Sequence, residues 1–201
     1  KNFGATSIYF DGDTVNAGKD YLAIDSSDFT FGTGSWTVDF WMNQTDTLNW
    51  ATPVDLYAGN GYGPILGFDA STNYLAFYSE GGVGWQHAPG SGGSYQSTSF
   101  ALTNGTWYHI AYVRNVNNLT CYVDGKLYFT LTLSSSDNVT TTQLTIGSRG
   151  WGEAAAHAPF KGYLDEIRIS KGVARWTSDF TPPARPYSTV NDEFFNDYEK
   201  I

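Results

Sequence analysis

Carboxylates pose the first question about this 201-residue chain. Glycosidases built on β-sheets use Asp and Glu side chains that project from one face into a cleft, spaced to act as acid and nucleophile. Here Asp39 is the sole acid of the apolar stretch Trp36-Thr-Val-Asp-Phe-Trp41, and no Glu-x-Asp-x-x-Glu pattern occurs. Asp165 and Glu166 are adjacent in Phe160-Lys-Gly-Tyr-Leu-Asp-Glu-Ile-Arg-Ile-Ser170. Side chains of a strand alternate, so Asp165 is expected beside Tyr163, Ile167 and Ile169, and Glu166 with Leu164 and Arg168 on the opposite face. The two carboxylates should then diverge. His87, His109 and His157 lie in different segments, none at a metal-ligand spacing. Nucleophile elbow and zinc-binding His pair are both missing. The Gly-rich pieces Gly59-Asn-Gly-Tyr-Gly63, Gly81-Gly-Val-Gly84 and Gly90-Ser-Gly-Gly93 lack the Lys and the strand-to-helix setting of a phosphate loop. A non-catalytic protein is expected, with an enzyme assembled from distant loop acids as the rival.

Two binding chemistries fit the residues better. Neutral sugars present apolar C–H faces ringed by hydroxyls, so their sites combine an aromatic platform with a few amide or carboxylate partners. Trp85-Gln-His87 and Trp151-Gly-Glu153 offer that combination, and Tyr62 sits in the same kind of Gly-rich loop. Packing beneath a loop is the alternative fate of such aromatics. The second chemistry is a hard cation, which wants several oxygens; Asp11-Gly-Asp13 supplies carboxylates and turn carbonyls. Alternatively these acids only brace a turn.

The elements that would position these groups read as strands at residues 6–11, 20–24, 35–42, 64–69, 73–79, 106–114, 119–124, 126–133, 143–147 and 160–170, separated by turn-rich segments. Asp124-Gly125 between two apolar pairs signals a type I′ hairpin, which requires positive φ at both central residues. His109 and Cys121 are expected in the core, Cys121 sharing a face with Leu119 and Val123. Long irregular stretches run from Thr45 to Gly63, Glu80 to Ser99 and Arg149 to Pro159, and these are where ligand contacts are expected.

Composition narrows the partners. Aromatics make up 17% of the chain, and 11 basic against 20 acidic residues leave a net charge of −9. That charge repels phosphate backbones and anionic lipid surfaces, so nucleic acid is not an expected partner. No apolar run is long enough to insert in a membrane, and the start at Lys1 lacks both Met and a secretory pattern, as expected of a processed product or part of a longer chain.

In order along the chain, these segments resemble the concanavalin A-like, laminin-G-like jelly-roll domains. Ser7-Ile-Tyr-Phe-Asp-Gly12 with Asp20-Tyr-Leu-Ala-Ile24 is similar to their opening strands, and Ser35-Trp-Thr-Val-Asp-Phe-Trp41 to the next core strand. Gly105-Thr-Trp-Tyr-His-Ile-Ala-Tyr-Val-Arg114 with Leu119-Thr-Cys-Tyr-Val-Asp-Gly-Lys-Leu-Tyr128 resembles the central hairpin, and Leu144-Thr-Ile-Gly-Ser148 precedes the last strand. That strand, Gly162-Tyr-Leu-Asp-Glu-Ile-Arg-Ile169, matches the family pattern G-x-[LI]-D-[ED]-[VI]-R-[IV]. The exit from Lys171 to Pro183 is similar to versions common in bacteriophage structural proteins.

The resemblance implies an all-β, two-sheet antiparallel sandwich over residues 1–187, with a tail at 188–201. It implies a surface-recognition or structural module, namely a virion component such as a capsid decoration or fibre protein on the virion surface, contacting other virion proteins and gripping a cell-surface glycan. The alternative is a carbohydrate-binding module of a secreted bacterial glycosidase or adhesin, secreted or held at the bacterial cell surface. It further implies a structural calcium between the first and last strands, held by Asp20 and Asp165 with Asp11 and Asp13. In the tail, Asn191 can cap a short helix whose Phe194, Tyr198 and Ile201 share one face, which is expected to pack in a homo-oligomer contact.

Overall fold

The computed structural model describes residues 2–13, 20–56, 63–68, 73–78, 94–96, 101–133, 137–149 and 158–187. The strands among them are β1 (Ile8–Asp11), β2 (Leu22–Asp25), β3 (Trp36–Gln44), β4 (Val54–Asp55), β5 (Ile65–Phe68), β6 (Leu75–Tyr78), β7 (Ser94–Gln96), β8 (Tyr108–Asn115), β9 (Asn118–Val123), β10 (Lys126–Thr132), β11 (Gln143–Ile146) and β12 (Lys161–Lys171). All ten expected strands are present, shifted by a residue or two. The two that the sequence did not announce, β4 and β7, are too short to display a period.

Strand β3 dictates much of the architecture. Its β-branched and aromatic residues favour extended backbone, and alternation sends Val38, Phe40 and Met42 to one side and Thr37, Asp39, Trp41 and Asn43 to the other. The apolar set needs a cover. Two six-stranded sheets provide it, ordered β1-β12-β3-β8-β9-β10 and β2-β11-β4-β5-β6-β7, with every pairing antiparallel. Between them Val38, Phe40, Met42, Ile110, Tyr112 and Cys121 of the first sheet meet Val54, Leu66, Phe68, Leu75, Phe77, Leu144 and Ile146 of the second. Each such side chain contributes roughly 1.5–3 kcal/mol by leaving water.

The β9–β10 turn is the expected hairpin, with φ of 49° at Asp124 and 72° at Gly125. Strand β12 departs from expectation. Asp165 pairs with Trp41 and Arg168 with Asp39, so Glu166 and Ile167 together oppose Phe40. Such a bulge bends the strand and resets the alternation. Glu166 takes φ 49°, and Leu164 before it packs on the same core as Ile167 and Ile169 after it. Asp165 and Arg168 therefore share the outer face of the first sheet, the face turned away from the second. The expected divergence of Asp165 and Glu166 fails for this reason, because the Glu166 carboxylate also serves the outer face.

After β12 the chain doubles back over that face as a strap, residues 172–187. The Thr37 hydroxyl donates to the Val173 carbonyl at 2.8 Å and accepts from the Arg175 N–H at 3.0 Å. Further on, the Asp179 carboxylate accepts from the Leu127 N–H at 3.0 Å, and Phe180 N–H donates to the Gly125 carbonyl at 2.9 Å. Ala174, Trp176 and Phe180 cover Ala111, Val113 and Tyr122, forming a second, smaller apolar layer outside the sandwich.

Candidate functional site

Asp39 is the centre of the strap-covered region. The Arg168 guanidinium donates to both its oxygens, at 3.1 and 3.0 Å. His109 Nε2 lies 3.3 Å from Oδ2, and the Tyr187 hydroxyl donates to the same oxygen. Tyr187 also lays its ring 3.9 Å from the Arg168 guanidinium and gives its N–H to Glu166. Around the His109 ring stand Trp41, Trp176 and Phe180, each edge-on at 5.3 to 5.7 Å, and Trp176 stacks on Phe180 at 3.9 Å. Asp39 and His109 are fully buried.

Burial on its own would raise the Asp39 carboxyl, but hydrogen bonds from His109, Arg168 and Tyr187, with the Arg168 charge, outweigh it and hold the pKa below the ordinary carboxylate value. For Tyr187, burial and the adjoining Asp39 charge push the phenol above its ordinary range. This cluster is a lock. Its acid is ionised, saturated with donors and cut off from water, which is unsuitable for proton transfer to a substrate.

Asp165 is also occupied. Its Oδ2 accepts the N–H groups of Asn2 and Phe3 at 2.9 and 3.0 Å, and Oδ1 accepts that of Glu166 at 3.0 Å. The N-terminal segment is thereby pinned so that the Phe3 ring meets Trp41 edge-on at 5.4 Å. The expected cation quartet is not assembled. Asp11 faces Lys161 across the β1–β12 ladder, four residues and so about 13 Å from Asp165 along β12. Asp20 instead accepts the Asp11 N–H at 3.3 Å, and Asp11 accepts the Asp13 N–H at 2.8 Å, a turn-bracing arrangement. Among the described residues, no three Asp, Glu, His or Cys side chains are grouped to hold a metal ion.

The outer face continues beyond the strap. Tyr9 pairs with Tyr163, and Tyr163 with Asn43. Because β8 begins with Tyr108 opposite Met42, Trp107 falls next to Asn43. Register thus brings Tyr9, Tyr163, Asn43 and Trp107, distant in sequence, into one row across the sheet. The Tyr9 and Tyr163 rings are 4.9 Å apart and those of Tyr163 and Trp107 6.4 Å, each pair tilted by 43°. Tyr9 is 47% exposed and Tyr163 36%. Asn43 is buried, donating from Nδ2 to the Gly105 carbonyl at 3.0 Å while its Oδ1 finds no partner. Sequence reasoning missed this row, since only the strand register reveals it. The loop residues it favoured, Tyr62, Trp85, His87, Trp151 and Glu153, lie outside the described residues, as does the tail at 188–201.

A two-sheet antiparallel sandwich with an apolar interior defines a β-sandwich, the architecture that lectin jelly rolls share. The chain belongs to the concanavalin A-like lectin/glucanases superfamily, whose family profile matches residues 16–177. No curated protein matches the chain. Domain 4 of the extracellular arabinanase AbnA from Geobacillus stearothermophilus, solved with arabinotriose, is 20% identical over 84% of this chain and 77% of that one, with a TM-score of 0.56. The heptameric SAP-like pentraxin of Limulus polyphemus is 16% identical over 87% and 77%, TM-score 0.58. A structure of botulinum neurotoxin type C, whose cell entry depends on two ganglioside molecules, is 14% identical over 83% of this chain and 38% of its own, TM-score 0.53. At these identities the likeness is one of fold. No helix among the described residues is long and apolar enough to cross a membrane.

Proposed function

We propose that this domain is a non-catalytic glycan-recognition module displayed on a surface, and that the surface is that of a virion. The superfamily includes lectins and glucanases, so the fold alone leaves binding and hydrolysis both open. One observation favours binding: every carboxylate that β3 and β12 present on the first sheet's outer face is engaged inside the protein. Asp39 is held by Arg168, His109 and Tyr187, Asp165 by three backbone N–H groups, and Glu166 by the Tyr187 N–H. None is left as general acid or nucleophile. The arabinotriose of the arabinanase domain and the two ganglioside molecules on which the neurotoxin's cell entry depends support a glycan as ligand.

The virion setting rests on the likeness of Lys171 to Pro183 to phage structural domains. A second setting, a module appended to a secreted glycosidase, is favoured by the arabinanase domain, 77% of which this chain covers. The parent gene's neighbours separate the two, because virion genes cluster and modular enzymes carry a catalytic domain. For the function itself, incubation with a broad polysaccharide panel should give binding without release of reducing sugar. Release that Asp39→Asn abolishes would overturn the proposal.

A further inference from the structure

We infer that the row Tyr9, Tyr163 and Trp107 is the platform for a single neutral oligosaccharide chain, an assignment that rests on the glycan-recognition reading above and gives it a place and a ligand class. The three rings form one continuous strip whose centroids are spaced 4.9 and 6.4 Å, about 11 Å in all and roughly the length of two pyranose rings, so two consecutive sugars can each lay a C–H face on it. Each ring is tilted 43° from its neighbour. Such a strip cannot lie flush on a flat, sheet-like polysaccharide surface, but it follows one chain that turns between residues.

Polar groups on the row select the ligand further. The buried Asn43, 8% exposed, lies opposite Tyr163 and beside Trp107 with an unused acceptor, Oδ1. That oxygen is itself closed to solvent, so a sugar hydroxyl reaches it only if the neighbouring rings shift on binding. Charge points to a neutral ligand. Of the cations of β12 flanking the row, Arg168 is bound to Asp39, and Lys161 lies 3.3 Å from the Asp46 carboxylate. Asp165 stands two residues from Tyr163, and the chain as a whole carries −9. Among the described residues flanking the row on β12 neither cation is left unpaired, so a sialylated or sulfated glycan would meet repulsion here.

The test uses the whole chain with arabinan, xylan, dextran and mannan in affinity gel electrophoresis, and with lactose and sialyllactose in calorimetry. Tyr9 and Tyr163 are half exposed, so their Ala variants should fold, which circular dichroism checks. At least one neutral polysaccharide should retard the wild type. Tyr9→Ala and Tyr163→Ala should each weaken that binding by about tenfold, Tyr163→Phe should keep it, and sialyllactose should bind no better than lactose. A folded Tyr9→Ala/Tyr163→Ala double variant with wild-type affinity would overturn the row while leaving glycan recognition standing. Preference for sialyllactose would overturn the neutral ligand class. Failure of every sugar to bind would overturn the glycan-recognition reading and the row with it.

Discussion

The outer face of the first sheet is one surface put to two uses. Under the strap, β3, β8 and β12 contribute Asp39, His109 and Arg168, charged or ionisable groups that are sealed beneath Trp176, Phe180 and Tyr187. A few residues along the same strands, with β1 at the edge, the side chains are Tyr9 and Tyr163, which stay open to solvent, and the partly buried Trp107 beside them. The usual placement of polar and apolar groups is inverted. A protein buries charge at a cost and recovers it only through complete pairing, so the sealed half is built for fixing the strap. Aromatic area left in water gains nothing for folding, and so the open half is where a ligand can gain from burial.

That contrast predicts that substitutions in the sealed half cost stability and substitutions in the open half cost binding. The largest effect belongs to Arg168→Met, which leaves the Asp39 carboxylate buried without its cation. Guanidinium unfolding should show a loss of about 3–5 kcal/mol, and Asp39→Asn in the same chain should restore part of it because the stranded charge goes too. Next comes Gly125→Ala. The residue has φ 72°, and a Cβ there would sit 1.9 Å from the Phe180 carbonyl oxygen. Strand turn and strap must separate, with a loss of about 1–3 kcal/mol and faster tryptic cleavage at Arg185 as the readouts.

Acid is a gentler way to loosen the sealed half. Since the native Asp39 carboxyl is held below its ordinary pKa of 3.8, the folded state gives up this proton more readily than the unfolded chain. The cluster's contribution is thus complete well above pH 4 and is lost as the pH falls through the ordinary carboxylate value toward the lower native one. Melting temperatures should be flat from neutrality to about pH 5 and then decline, and the decline should be shallower in Asp39→Asn. The smallest stability change belongs to the open half. Tyr9→Ala or Tyr163→Ala should leave unfolding within about 1 kcal/mol of wild type while weakening glycan binding.

Of these two halves, the sequence disclosed the strands and little of the surface. Val38, Phe40 and Met42, or Leu119, Cys121 and Val123, are legible because a period of two survives wherever one face meets the core. It breaks at Glu166, where an added residue is accommodated by positive φ, and Arg168 consequently emerges beside Asp39 instead of opposite to it. No local pattern announces a bulge of this kind. Tyr9, Tyr163 and Trp107 belong to three distant segments, so their juxtaposition exists only once β1, β12, β3 and β8 are paired in register. Asp11, Asp13, Asp20 and Asp165 show the reverse hazard, a plausible set of ligands by residue type of which the first three brace one turn while the ladder holds Asp165 away from them.

Cys121 lies at the heart of the sandwich, fully buried and the chain's sole thiol. Burial drives its pKa far above that of a free cysteine, so the reactive thiolate is virtually unpopulated while the two sheets remain together. The wild-type molecule therefore carries its own stopwatch: a thiol-specific dye can react only during the intervals when the sandwich parts. A sugar held on the opposite side of the same sheet would make those intervals rarer by mass action, and slower dye uptake would report its arrival without a mutation, a label or a catalytic signal.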